Sequence, residues 1–176
     1  MTEYRPLTDS TGHLGDAERL SENLARDGYL LLRGLVDPQR VSQVKKDVMG
    51  VLHETHIIEE NDTEDPMWSG GPHPSEAEHM RYYDKIVRLD SFNRLAESPE
   101  IVAVMESVVG EAVTVWKQRL IRIMFPDPDA PDDAGVGTHQ DGASNLGYQA
   151  DRFYTCWLPL MAVSYTHLTL PTKRIV

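Results

Sequence analysis

The 176-residue chain has one cysteine, Cys156, so an internal disulfide is excluded and a reducing compartment is expected. Long apolar runs are also missing. No stretch approaches the roughly 20 residues needed to span a bilayer as a helix, and the N-terminus, MTEYRPLTDS, has neither the cationic start nor the apolar run of a signal peptide. A soluble, cytoplasmic protein is the expectation. Basic residues are scarce as well: 17 Lys and Arg face 28 Asp and Glu, a net charge of -11. Binding to nucleic acid or an anionic membrane needs clustered cations, so neither is expected as a partner.

The first half reads as capped helices. In DAERLSENLARDG, Leu20 and Leu24 lie four apart and Gly28 follows, which predicts a short amphipathic helix with a glycine stop. YLLLRGLV (29–36) then predicts a buried strand. Asp37 followed by Pro38 is an N-cap with proline in the first turn, where the missing N–H costs nothing, and Val41, Val44, Val48 and Leu52 continue one apolar stripe. Residues 57–75 are polar, acidic and rich in Gly and Pro, with Met67, Trp68 and His73 among them, and predict a long loop. Ser98 and Pro99 repeat the cap signal. Ile101, Val102, Met105, Val108 and Val109 should form the buried face of a helix closed by Gly110.

From residue 112 the texture changes. AVTVWKQRLIRIMF (112–125) and RFYTCWLPL (152–160) are rich in β-branched and aromatic residues and predict strands, with Cys156 a buried thiol in the second. Helices first and strands afterwards make the expected class α+β with an antiparallel sheet.

Between those runs lies THQDG (138–142). On an extended strand residues i and i+2 face the same way, so His139 and Asp141 can converge on one ion while Gln140 points away, and Gly137 and Gly142 permit a bend. Two imidazoles and one carboxylate on one octahedral face leave positions open for a co-substrate and oxygen, the arrangement of non-haem Fe(II) oxygenases. The triplet supplies two of the three. A bare HxD is weak evidence in a chain with 7 histidines, and a hydrogen-bonded turn is its structural alternative. HETH (53–56) places two more histidines at a helix end, although the spacing is not that of H-E-x-x-H. His79 lies near the polar loop, where solvent exposure is expected.

Taken together, DGYLLLRGLVDPQRV, THQDGA and CWLPL resemble the phytanoyl-CoA dioxygenase family over most of residues 24–161. The resemblance implies N-terminal helices packed on an incomplete double-stranded β-helix, a cupin-like jelly-roll. It implies Fe(II) and 2-oxoglutarate as cofactors, with His139 and Asp141 as iron ligands. By the same resemblance Trp157 corresponds to an aromatic residue near the 2-oxoglutarate pocket, and Gln118 lies on a strand bearing co-substrate or substrate contacts. Members often end that strand with a basic residue, where this chain has Met124 and Phe125. The implied activity is hydroxylation of a small organic substrate; related halogenases lack the carboxylate that Asp141 provides. A non-catalytic β-barrel module binding metal or a small molecule is the alternative, and a zinc hydrolase using His53, His56 and Asp141 is a third reading.

The last residues read differently. VSYTHLTLPT (163–172) is the translation of a transposon-end adapter used in sequencing-library preparation, and Ala162 fits the preceding bases. The expected organisation is therefore a truncated dioxygenase-like domain over residues 1–161 and a non-native tail over 162–176. His167 in that tail is refused as the third ligand. The family's distal histidine, and the basic residue that pairs with the far carboxylate of 2-oxoglutarate, are expected beyond residue 161 of a longer parent. The fragment itself is expected to be inactive and poorly stable, with open sheet edges.

Overall fold

The computed structural model describes residues 6–58, 74–117, 119–123, 125 and 153–161. The chain divides into two units, Met1–Ile123 and Met124–Val176.

The first unit is helical. After a 3-10 turn at Thr11–His13 come α1 (Ala17–Asp27), α2 (Pro38–Glu54), α3 (Glu76–Ile86), α4 (Asp90–Ala96) and α5 (Pro99–Val109). The ends of the first two follow their sequence signals. The Asp16 carboxylate accepts from the Arg19 amide at the start of α1, and Gly28 closes it at φ 79°, a left-handed conformation open to glycine at little cost. Asp37 accepts from the Gln39 amide ahead of Pro38. The stripe on α2 is buried at Val44, Val48, Val51 and Leu52 and half-buried at Val41.

Helix α3 begins with a capping box. Ser75 Oγ accepts from the Glu78 amide while the Glu78 carboxylate accepts from the Ser75 amide, so two orphan N–H groups are satisfied reciprocally. Tyr82 and Ile86, on one face of α3, are buried.

Helix α2 packs on α3 and α4, and α1 packs on α5. The buried apolar side chains include Leu20 of α1, four from α2, Tyr82 and Ile86 of α3, Leu95 of α4 and Ile101 of α5. Polar ties cross the same seams. Ser91 Oγ donates to Asp47 Oδ2 at 2.5 Å, Arg81 donates to the Thr55 carbonyl at 2.8 Å, and Ser21 Oγ donates to the Val108 carbonyl at 3.1 Å. The apolar face of α5 is less buried than its pattern predicts: Ile101 is buried, and Val102, Met105, Val108 and Val109 are half-exposed. Gly110 closes it in the left-handed region, as expected.

Ser98 departs from its predicted role. It stands at the N-cap position of α5, yet its hydroxyl donates to the Leu95 carbonyl at 2.5 Å and accepts from Arg40 Nη2 at 2.7 Å, and caps no amide. Arg40 also reaches Glu100 through Nη1. A fully buried hydroxyl is thus spent on joining α2 to the α4–α5 corner.

The β expectations fare differently from the helical ones. Residues 29–36 form no buried strand: Leu31 makes one isolated parallel bridge to Asp9, and the Ser10 amide donates to the Leu31 carbonyl at 2.9 Å. The physical reason is that a strand is completed by a partner, and among the described residues 6–10 ahead of the 3-10 turn only Asp9 bridges to it. Among the described residues that bridge is the only β pairing, and 112–123 and 153–161 carry no ladder. No described helix is long and apolar enough to cross a membrane.

Candidate functional site

His139, Asp141 and Gln118 lie outside the described residues, as do Met67, Trp68, His73 and His167. What the structure describes around them is the segment leading toward the triplet and the aromatic segment after it.

The leading segment has two faces. Val113, Val115, Arg119, Ile121 and Ile123 are part-buried, whereas Thr114, Trp116, Leu120 and Arg122 are exposed; Lys117 breaks the alternation and is exposed. A period of two is what an extended chain gives when one side lies on a packed surface. The buried side rests on the helices. The Val113 amide donates to Glu106 Oε1 of α5 at 3.4 Å. Arg119 Nη1 donates to Asn93 Oδ1 of α4 at 2.9 Å, and Nη2 pairs with Glu97. The Arg119 side chain is only 16% exposed, and its Nε is buried without a hydrogen-bond partner among the described residues. On the open side Leu120 is 65% and Trp116 45% exposed.

In the second unit Trp157 lies on the described segment 153–161 and is 58% exposed, beside exposed Phe153 and Tyr154. Cys156 is exposed, which corrects the expectation of a buried thiol. Neighbouring protein partly desolvates its thiol and raises the pKa, which favours the protonated form. The alternating run expected to bury Cys156 has no ladder among the described residues to place it in an interior.

Three other described histidines lie at or beside helices. His53 sits in the last turn of α2 with Nδ1 buried and unpartnered among the described residues, and exposed His56 has φ 59°. Among the described residues no three His, Cys, Asp or Glu side chains are grouped to hold a metal. Exposed His79 receives Tyr82: the two share a hydrogen bond of 2.7 Å between Oη and Nδ1, and the His79 ring stacks on Tyr83 with centroids 5.6 Å apart. Burial raises the pKa of both tyrosines.

Sequence reasoning passed over Arg119 and Arg122. Their signal was present in the alternation of KQRLIRI, but both faces of that run carry apolar residues, so the pattern becomes readable only once burial is known.

The sequence model described as phytanoyl-CoA dioxygenase (PhyH) matches residues 24–166. A 1-deoxypentalenic acid 11-beta-hydroxylase of Streptomyces arenae is 30% identical over 177 residues, covering 92% of this chain and 55% of its own length. The enzyme of the same name from Streptomyces exfoliatus is 28% identical over 159 residues, covering 89% and 53%. The chain therefore spans about half the length of the curated relatives it matches. No solved structure gives a significant match.

Proposed function

The chain belongs to the phytanoyl-CoA dioxygenase family, and from that premise we propose that its parent is an Fe(II)- and 2-oxoglutarate-dependent oxygenase that hydroxylates a small organic substrate on a jelly-roll core. The observation that carries this reading is the position of THQDG inside the matched span, which runs from residue 24 to 166 and stops one residue short of His167.

The donor set suits the metal. An imidazole and a carboxylate at i and i+2 supply one nitrogen and one oxygen to the same side of an extended chain, and mixed nitrogen and oxygen donors with open positions favour Fe(II) over the thiolate-rich sets of structural zinc. With 2-oxoglutarate, bound iron supplies the oxidising chemistry for C–H hydroxylation. Asp141 brings a negative charge that offsets part of the metal's, and His139 must be neutral to ligate, so metal binding is lost as the imidazole protonates. Gln118 and Trp157 are the residues proposed to border the 2-oxoglutarate pocket. Both named relatives act on an acid, and a largely apolar carboxylic acid is the substrate class we favour here.

A second histidine is expected outside residues 1–161, so the test is made on the intact parent. With Fe(II), 2-oxoglutarate and a panel of apolar carboxylic acids, it should consume 2-oxoglutarate in step with formation of a hydroxylated acid. His139→Ala and Asp141→Ala should each abolish both iron retention and turnover. Iron retained by both variants, or 2-oxoglutarate left unconsumed with every acid, would sink the reading; zinc retained after His139→Ala would favour the hydrolase instead.

A further inference from the structure

Tyr82 on α3 is 1% exposed, and among the described residues its hydroxyl has one partner, Nδ1 of exposed His79 at 2.7 Å. Two rings hold that imidazole. It meets the Tyr82 ring edge-on with centroids 5.1 Å apart, and stacks on Tyr83 at 5.6 Å with 19° between the planes. A phenol so buried cannot reach a substrate, and no step of the proposed hydroxylation uses it.

An electron can leave it nonetheless. Oxidising a buried tyrosine is opposed by charge, because a cation left in a low-dielectric interior is costly unless its proton departs with the electron. Nδ1 gives that proton a place to go. With the imidazole proton on Nε2, Nδ1 offers its lone pair to the phenol O–H, and the transfer runs along a hydrogen bond already made. The positive charge then rests on His79, which is exposed and lies within cation–π reach of the Tyr83 ring. Burial raises the Tyr82 pKa, so the phenol keeps its proton until the electron leaves.

From this arrangement we infer that Tyr82 and His79 form a proton-coupled redox pair, taking up one oxidising equivalent from a high-valent metal complex that acts as a one-electron oxidant. The oxidant gains one electron, the Tyr82 O–H bond breaks and an N–H bond forms at Nδ1. The products are a neutral tyrosyl radical and the His79 imidazolium. A one-electron reductant reverses each change, the proton returning along the same bond. The burial that closes Tyr82 to substrates also keeps its radical from coupling with others.

The test is flash oxidation of the 176-residue chain by photogenerated ruthenium(III) tris-bipyridine, read by transient absorption and by electron paramagnetic resonance of samples frozen after the flash. Radicals on exposed tyrosines decay by meeting one another, so a tyrosyl signal that outlasts them is expected from the buried ring. Tyr82→Phe should remove this long-lived signal, and Tyr83→Phe should keep it. His79→Gln retains an acceptor but no base, and should slow formation of the signal about a hundredfold. Formation in the wild type should also be slower in heavy water, since the proton moves with the electron. His79 is exposed and Tyr82→Phe preserves the ring, so these variants keep the fold. No long-lived tyrosyl signal in the wild type, its survival in Tyr82→Phe, its loss in Tyr83→Phe, or equal rates in wild type and His79→Gln would each overturn the assignment. The measurement uses neither iron nor 2-oxoglutarate, so it stands or falls apart from the proposed function.

Discussion

Asn93 and Arg119 meet through the amide oxygen of one and a guanidinium N–H of the other, 2.9 Å apart, while the amide nitrogen of Asn93 donates to the carbonyls of Val87 at 3.0 Å and Leu89 at 2.8 Å. One side chain thus closes the turn between α3 and α4 and holds the segment that leads toward the candidate ligands.

Breaking that junction should destabilise the helical unit. Arg119→Leu keeps the apolar stem but leaves Asn93 Oδ1 and Glu97 without their donor, and losing a charge-assisted hydrogen bond from a largely buried site costs about 1–3 kcal/mol. Urea unfolding followed by circular dichroism should show a lower midpoint with an unchanged slope. A midpoint equal to wild type would mean that the segment is held by its apolar contacts alone.

Ser98 makes a parallel case on the far side of the unit. Replacing it with alanine removes the acceptor for Arg40 Nη2 and the donor to the Leu95 carbonyl, both in a fully buried setting. A loss of about 1–3 kcal/mol is expected in the same assay. Ser98→Thr retains the hydroxyl but adds a methyl where there is no exposed surface, so it should recover only part of the loss. If serine acted as a helix cap here, Ser98→Asp would restore stability; because the hydroxyl donates to a carbonyl, aspartate should be worse than alanine.

Core packing predicts a larger effect at Leu20, which is 1% exposed. Leu20→Ala should cost about 2–5 kcal/mol, a large share of the stability of a small unit. The variant should unfold at much lower urea than Arg119→Leu; similar midpoints for the two would show that the core around α1 collapses readily onto the space left.

The helices were legible because their signals are local. Asp37 with Pro38, Gly28 and Gly110 act within one turn of the residues they cap, and each is found where the pattern puts it. Helix α3 was not among the expected helices, although Ser75 and Glu78 form a capping box at its start, because the acidic, proline-rich stretch just before it obscured the pair. Helix α4 had little to read, with seven residues, no side-chain cap and Leu95 as its buried residue. Strands are another matter. The run at 29–36 has the composition of a buried strand but finds a single bridge, since pairing depends on a partner that composition does not name. At 113–116 and again at 119–123 a period of two was present, but valine and isoleucine on one side and tryptophan and leucine on the other hid which side is inward. The candidate ligands were read from spacing and resemblance, and His139 and Asp141 lie outside the described residues.

The last prediction concerns acid. Besides Asp27, held low by Arg26, three carboxylates of the helical unit are held below their ordinary range: Asp9 by the Thr11 hydroxyl and amide and by Arg33, Glu78 by the Ser75 hydroxyl and amide, and Glu100 by its own backbone amide and by Arg40. In each the folded state prefers the ionised form more than the unfolded chain does. Such a group contributes stability that is fully present above its unfolded pKa and is lost as pH falls through the folded one. The ordinary values are 3.8 for Asp9 and 4.5 for the two glutamates, so the urea midpoint should be flat from pH 7 down to about 5 and then decline. All three groups lie at the surface, where solvent and salt screen them, so each contributes modestly and added salt should shrink the decline. Ser75→Ala isolates one contribution. It removes the hydroxyl that holds Glu78 down, so it should lower stability at pH 7 yet leave the variant closer to wild type as the pH falls through the lowered folded-state pKa of Glu78. A gap between the two proteins that stays the same throughout that fall would show that the hydroxyl acts only as a cap for the Glu78 amide and has no hold on the carboxylate.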